Sequence, residues 1–195
     1  MVGIEAVWAA LMGYALGSIP FGLILTSGTG AGNLREIGSG NIGATNVLRT
    51  GKKSLAALTL ILDLLKGTAA VLLARHFFPG SEIFAAAAAF FGHLYPVWLG
   101  FRGGKGVATY AGILFGLHWP LGLAYGVAWI AVLLVTRISS AGGLAAALIA
   151  PVAAWGMGQQ NYVPVLVACS VIVCWKHREN IGRLLNRTEP KIGAK

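Results

Sequence analysis

Apolar residues run through this chain in seven stretches, separated by short polar connections. Residues 6–26 carry no charge, and further apolar runs lie at about 55–74, 83–101, 107–119, 120–136, 141–158 and 162–175. A helix needs roughly 20 residues to cross a hydrocarbon core about 30 Å thick. The longer runs meet that length. Those at 107–119 and 141–158 are short and would draw on flanking residues. The pattern predicts an all-α, polytopic integral membrane protein with seven transmembrane helices. In such a solvent every polar residue kept inside needs a reason.

Composition sharpens this picture. The chain is 56% hydrophobic and only 11% charged, where a soluble domain carries about 25% charged residues. Seven spans in 195 residues leave no room for a separate soluble domain, so residues 1–195 are expected to form a single one. Glycine accounts for 28 residues, about twice the usual ~7%, and small residues let membrane helices approach closely. The first ten residues hold no Lys or Arg and do not resemble a cleaved signal peptide. Cys169 and Cys174 are five apart on one predicted helix, face different ways, and are expected to pack rather than pair.

Charge then orients the chain. With the N-terminus placed outside, the inner connections hold Arg35, Arg49, Lys52, Lys53, Arg102, Lys105 and Arg137, and the tail adds Lys176, Arg178, Arg183, Arg187, Lys191 and Lys195. The outer connections hold Arg75 alone, and Lys66 falls within a span. That asymmetry predicts an outside N-terminus and an inside C-terminus under the positive-inside rule. The net charge of +9 is therefore read as an inner membrane face near anionic lipid and anionic metabolites, with no nucleic-acid partner. It also places three polar, glycine-punctuated segments on one side.

The first is GSGNIGATNVLR, residues 38–49. Its glycines permit close approach of backbone to a ligand. Ser39, Asn41, Thr45 and Asn46 add uncharged hydrogen-bonding groups, and Arg49 adds a planar fork suited to phosphate. The bland alternative is a flexible loop with a helix cap. The second is FRGGKGVAT, residues 101–109. Gly103, Gly104, Lys105 and Gly106 precede a predicted helix start near Thr109, where outward N–H groups and the helix dipole would favour an anion. Lys105 is followed by glycine, so this is no GxxxxGK[ST] loop, and a small phosphate compound is favoured over a nucleoside triphosphate. The alternative is a tight turn with a positive-inside lysine. The third is KHRENIGRLL, residues 176–185. His177 and Asn180 share a helix face, and His177 can accept a proton near neutral pH. Glu179 is expected to pair with a nearby cation and fix structure. The alternative is a basic tail lying on headgroups.

Within the spans, Asp63 and Lys66 stand out at i, i+3, each costing about 2.5–3.5 kcal/mol in lipid. They either neutralise each other, or Lys66 supports the anion site from below. His93, Pro96 and the inner-loop Ser139 and Ser140 are weaker signals. No HExxH, CxxC or GxSxG pattern occurs, so no metal or cofactor is expected. No histidine has an aspartate five positions on.

Taken together, GSGNIGATNVLR, GHLYPVWLGFRGGKGVAT (92–109) and KHRENIGRLL, with SIPFG (18–22) and DLLKG (63–67), resemble the bacterial acyl-phosphate:glycerol-3-phosphate acyltransferases, the PlsY family. One departure lies at Asn186-Arg187-Thr188-Glu189, where a glycine ahead of the Thr-Glu pair would fit the family better. The resemblance implies acyl transfer from acyl phosphate to the 1-hydroxyl of glycerol 3-phosphate, releasing lysophosphatidic acid and phosphate. It implies a multi-pass protein of the bacterial inner membrane, a site facing the cytoplasm, no cofactor, and no obligate protein partner beyond membrane lipid. It makes Ser39 and Arg49 essential to activity, gives the phosphate of glycerol 3-phosphate to the glycine loop and Lys105, and makes His177 and Asn180 a polar pair. Direct attack on the mixed anhydride needs no acyl-enzyme, and the proton goes either to His177 or to the departing phosphate. A competing reading of the residues is a carrier for a small phosphorylated anion. The nearly bare outer connections weigh against it.

Overall fold

A computed structural model describes residues 3–30 and 32–193, all helix, turn and loop. It divides into two compact units, one running to Leu117 and the other starting at His118. Five helical stretches are long and apolar enough to cross a membrane: Ile4–Ser27, Lys53–Phe77, Glu82–Leu99, Trp119–Thr136 and Ser139–Gly156. Val107–Leu117 and Gln160–Lys176 are apolar but shorter. Among the described residues there is thus an apolar helix for each of the seven stretches, five of them of spanning length. The chain is an all-α, polytopic membrane protein.

The stretch at 6–26 is broken rather than continuous. Helix α1 (Ile4–Gly17) stops at Ser18, and α2 (Phe21–Ser27) begins after Pro20. Proline has no N–H to give and steers the residue before it away from helix. A break at membrane depth exposes carbonyls that lipid cannot satisfy. Side chains from elsewhere meet them: Trp98 Nε1 donates to Ser18 O at 2.8 Å, and Lys66 Nζ donates to Ile19 O at 2.7 Å.

The first unit is built on glycine contacts. Helix α1 packs on α5 (Glu82–Leu94), and α4 (Lys53–Phe77) packs on α6 (Val107–Leu117). A Cβ at Gly17 would lie 2.0 Å from Ala89 O, and one at Gly112 would lie 1.9 Å from Leu64 O, so only glycine permits these backbone approaches. Thr68 Oγ1 donates across the α4–α6 seam to Gly112 O at 2.8 Å. A short helix, α3 (Ala44–Leu48), rests on α4.

In the second unit α7 (Trp119–Thr136) packs on α8 (Ser139–Gly156), and α8 on α9 (Val163–Lys176). Prolines near the starts of α7 and α9 sit where their missing N–H is not needed. Ser139 and Ser140 open α8 instead of lying in a loop, so the run expected to be short at 141–158 gains the length of a span. The amphipathic α10 (Arg178–Leu185) follows α9 directly.

Candidate functional site

In the first unit the loop after α2 folds back on itself around Asn46. That side chain is buried, accepts from Ser39 N at 3.1 Å and from Ser39 Oγ at 3.4 Å, and donates to Leu34 O at 2.9 Å. With its amide engaged inside the chain, Asn46 holds the loop and is not placed to touch substrate, which corrects the expectation for it. Gly38 and Gly40 have φ of +55° and +65°, a backbone region that side chains disfavour. A Cβ at Gly38 would also meet Arg49 Nη1 at 2.7 Å, so the guanidinium lies over that glycine. Arg49 is exposed and takes no ion pair or side-chain hydrogen bond from the described residues. Ser39 and Thr45 are exposed beside it, and Asn41 is half-buried.

The glycine loop enters α6 nearby. Arg35 Nη2 donates to the carbonyl of Arg102, which ties the first segment to the second. Sequence reasoning missed Arg35. Partial burial, then the charge of Arg102, hold its guanidinium below the ordinary range, marking a crowded positive rim that an anion would relieve. The loop itself differs from expectation in one respect. Gly103 N donates to Leu94 O and Gly104 N to His93 O, both at 3.0 Å, so these two N–H groups close the loop on α5 and are not offered to a ligand. Lys105 is half-buried between them and Gly106, whose φ is +89°.

Two further expectations fail on burial. Thr109 is fully buried, its backbone carbonyl against Gly67 of α4, so it is not exposed to a ligand at the surface. Lys66 is 4% exposed, and its ammonium lies 2.7 Å from both Asp63 Oδ1 and Ile19 O. It bonds the broken first span and its own helix partner, which is the bland reading of the pair.

In the second unit His177 is buried at the α9–α10 junction, and its Nδ1 lies 2.8 Å from Val173 O. A carbonyl can only accept, so the neutral ring carries its proton on Nδ1 and keeps the lone pair on Nε2. Asn180 donates its amide to Glu189. Glu189 also accepts from Ser140 Oγ at 2.7 Å and from Arg183 Nε at 2.6 Å. Burial pushes its pKa up, but these donors and the Arg183 charge outweigh burial and hold the carboxyl below its usual range. Glu179, expected to be the structural acid, is exposed and pairs with nothing among the described residues. Glu189 has that place, and the Thr188-Glu189 pair was its sequence signal. The departure ahead of that pair is real: Arg187 sits at φ +58°, with Thr188 N bonded to Arg183 O and Arg187 N to Leu184 O. This is a Schellman cap with arginine in the left-handed position that glycine usually takes.

The fold and these sites define a class: a multi-pass α-helical membrane protein with basic, glycine-rich loops suited to phosphorylated compounds. The sequence model of the family described as Glycerol-3-phosphate acyltransferase matches residues 7–187. The chain is 57% identical over 187 residues to the glycerol-3-phosphate acyltransferase of Erythrobacter litoralis (strain HTCC2594), covering 96% of this chain and 95% of that one. It is 60% identical over 187 residues to that of Brucella abortus (strain 2308), covering 96% and 93%. Its fold is similar to the crystal structure of PlsY (YgiH), an integral membrane glycerol 3-phosphate acyltransferase, in its glycerol 3-phosphate form. The TM-score is 0.91 at 35% identity, over 96% of each chain. For the lysophosphatidic acid form the TM-score is 0.86 at 34% identity, over 96% and 95%. The chain belongs to the glycerol-3-phosphate acyltransferase family, and the carrier reading is set aside.

Proposed function

We propose that this chain transfers an acyl group from acyl phosphate to the 1-hydroxyl of sn-glycerol 3-phosphate at the cytoplasmic face of a bacterial inner membrane. The observation that carries the reading is Arg49: an exposed guanidinium over Gly38 with no acceptor among the described residues, in a loop that Arg35 ties to the glycine loop. Such a fork suits a phosphate dianion. Arg49 and Lys105, with Gly106 and the α6 start, take substrate phosphate. Ser39, Asn41 and Thr45 are the uncharged partners.

The substrate's 1-hydroxyl oxygen bonds to the acyl carbon as the bond from that carbon to the phosphate oxygen breaks. The phosphate leaves with its electron pair, and the hydroxyl proton goes either to His177 or to an oxygen of the departing phosphate. No acyl-enzyme forms, because phosphate is already a good leaving group. Rate comes from orientation and from cations placed at the developing charge. The chain works as one domain over residues 1–195. It crosses the membrane seven times, N-terminus out and C-terminus in, with Val107–Leu117 and Gln160–Lys176 as the two short crossings.

The test uses purified protein with glycerol 3-phosphate and either acyl phosphate or acyl-CoA. The expected result is equal release of phosphate and lysophosphatidic acid from acyl phosphate alone, and no added mass on the protein when acyl phosphate is given without acceptor. A stable ester on Ser39 that added glycerol 3-phosphate discharges would overturn direct transfer. Turnover with acyl-CoA alone would overturn the donor.

A further inference from the structure

Gly104 raises a question that backbone geometry does not answer. It is not among the residues with positive φ, so alanine fits its conformation. A Cβ there would, however, lie 2.1 Å from His93 Nε2 and 2.8 Å from His93 Cε1. The space that glycine leaves is filled by the imidazole. The same histidine accepts the Gly104 N–H on its backbone carbonyl at 3.0 Å. His93 is 4% exposed, so its ring cannot swing out into solvent to make room. On its other side, Nδ1 lies 3.7 Å from Asp63 Oδ1, in contact with the carboxyl but too far for a hydrogen bond. Asp63 is in turn held by Lys66 at 2.7 Å.

We infer that His93 is a positioning residue for the glycine loop: its ring, braced by the buried Asp63–Lys66 pair, is the floor on which Gly104 rests and sets the path of the backbone into Lys105 and Gly106. The inference rests on the reading that this loop takes the phosphate of glycerol 3-phosphate. It gives the Asp63–Lys66 pair a task without a ligand. The pair holds His93 from below, while Lys66 also closes the break at Ile19. It also changes the meaning of a methyl group at position 104. The methyl would strike His93 from above, not the substrate.

The two explanations separate in a double-mutant cycle, since residues that act through each other are non-additive. Wild type, His93→Ala, Gly104→Ala and the double variant are assayed with glycerol 3-phosphate varied at saturating acyl phosphate, and each is melted in parallel. Gly104→Ala is expected to raise KM for glycerol 3-phosphate about tenfold or more, with kcat changed less, and His93→Ala to raise it severalfold. The double variant, in which the new methyl enters the space the ring has left, should have a KM below that of Gly104→Ala alone. A double variant whose KM rise is the product of the single ones overturns the inference, because the methyl would then act on the ligand. So does a Gly104→Ala protein with wild-type kinetics. If Gly104→Ala does not accumulate folded, recovery of folded protein in the double variant supports the inference, and continued failure overturns it. The reading of the loop is judged separately: coupling that appears in KM for acyl phosphate instead would keep His93 as the floor and move the loop to the donor.

Discussion

Glu189 and Glu179 offer a direct contrast, because sequence reasoning made the wrong one structural. Glu189 has a side chain only 5% exposed and accepts from Ser140, Asn180 and Arg183. A hydrogen bond to a charged group is worth about 1.5–3 kcal/mol, and a donor left buried without its partner costs a similar amount. The Arg183 side chain is 37% exposed, so water replaces most of its share. Two bonds then matter, those from Ser140 and from the buried Asn180 amide. Glu189→Ala should therefore cost about 2–4 kcal/mol, a fall in Tm of about 5–15 °C for a chain of this size. It should also lower kcat, since Asn180 loses its anchor. Glu179→Ala should stay within about 0.5 kcal/mol of wild type. Both are read by thermal melting and by lysophosphatidic acid production. The pH dependence has a definite sign. A carboxyl whose folded pKa lies below its unfolded value adds stability above the unfolded value, and loses it as pH falls through the folded one. The gap between wild type and Glu189→Gln should thus be full at neutral pH and close only in acid, below about pH 4.3. A Glu189→Ala protein with wild-type Tm and kcat, or a Glu179→Ala protein with the larger loss, would refute the assignment.

Three further expectations follow from other parts of the chain. Arg187→Gly should stabilise the tail by about 0.5–1 kcal/mol, since the left-handed conformation costs an L-residue about 1–2 kcal/mol and glycine's extra unfolded freedom returns about 0.5–1; a lower Tm would count against it. His177→Ala should cut kcat by about 100-fold or more, with KM changed less, and should remove the acidic limb of the kcat profile, because a base must be neutral to act; an acidic limb that survives in the residual activity makes the departing phosphate the proton acceptor. In a background without Cys169 and Cys174, a membrane-impermeant thiol probe applied outside should label Pro79→Cys and spare Ser54→Cys, both exposed positions, whereas Ser81 in the same connection is buried and a poor reporter; the reverse pattern would invert the chain.

Much of the fold was legible because lipid imposes one rule on every span. Hydropathy located an apolar helix for each stretch, and the motif segments fell at helix ends and loops. What was not legible depended on how side chains terminate the backbone. Nothing in GSGNIGATNVLR tells that Asn46 turns inward to Leu34 O while the Arg49 guanidinium has no partner among the described residues, because an asparagine serves a turn or a ligand equally well. Thr109 shared a motif with Lys105, yet Lys105 lies in the loop before α6 while Thr109 is inside the helix, fully buried, with its carbonyl against Gly67. The partners of Glu189 were hidden because its donors come from α8 and α10, which no local pattern joins.

The polar residues inside the first unit make the same point from the other direction. An intramembrane lysine is by default a functional hypothesis, because lipid makes it costly. Here the cost arises from a different element. Pro20 breaks the first span and takes the carbonyls of Ser18 and Ile19 out of the regular helical ladder. Lys66 answers one and Trp98 the other. Asp63 then balances Lys66, and His93 stands between Asp63 and Gly104. One helix break thus accounts for a lysine, an aspartate and a tryptophan before any substrate is considered. It also accounts for SIPFG and DLLKG occurring together: the first segment supplies the carbonyl and the second the ammonium that meets it. An account that assigned Lys66 to a ligand would leave the Ile19 carbonyl with only the Phe21 N–H at 3.2 Å. The geometry therefore ranks backbone closure ahead of phosphate binding as the reason for that charge.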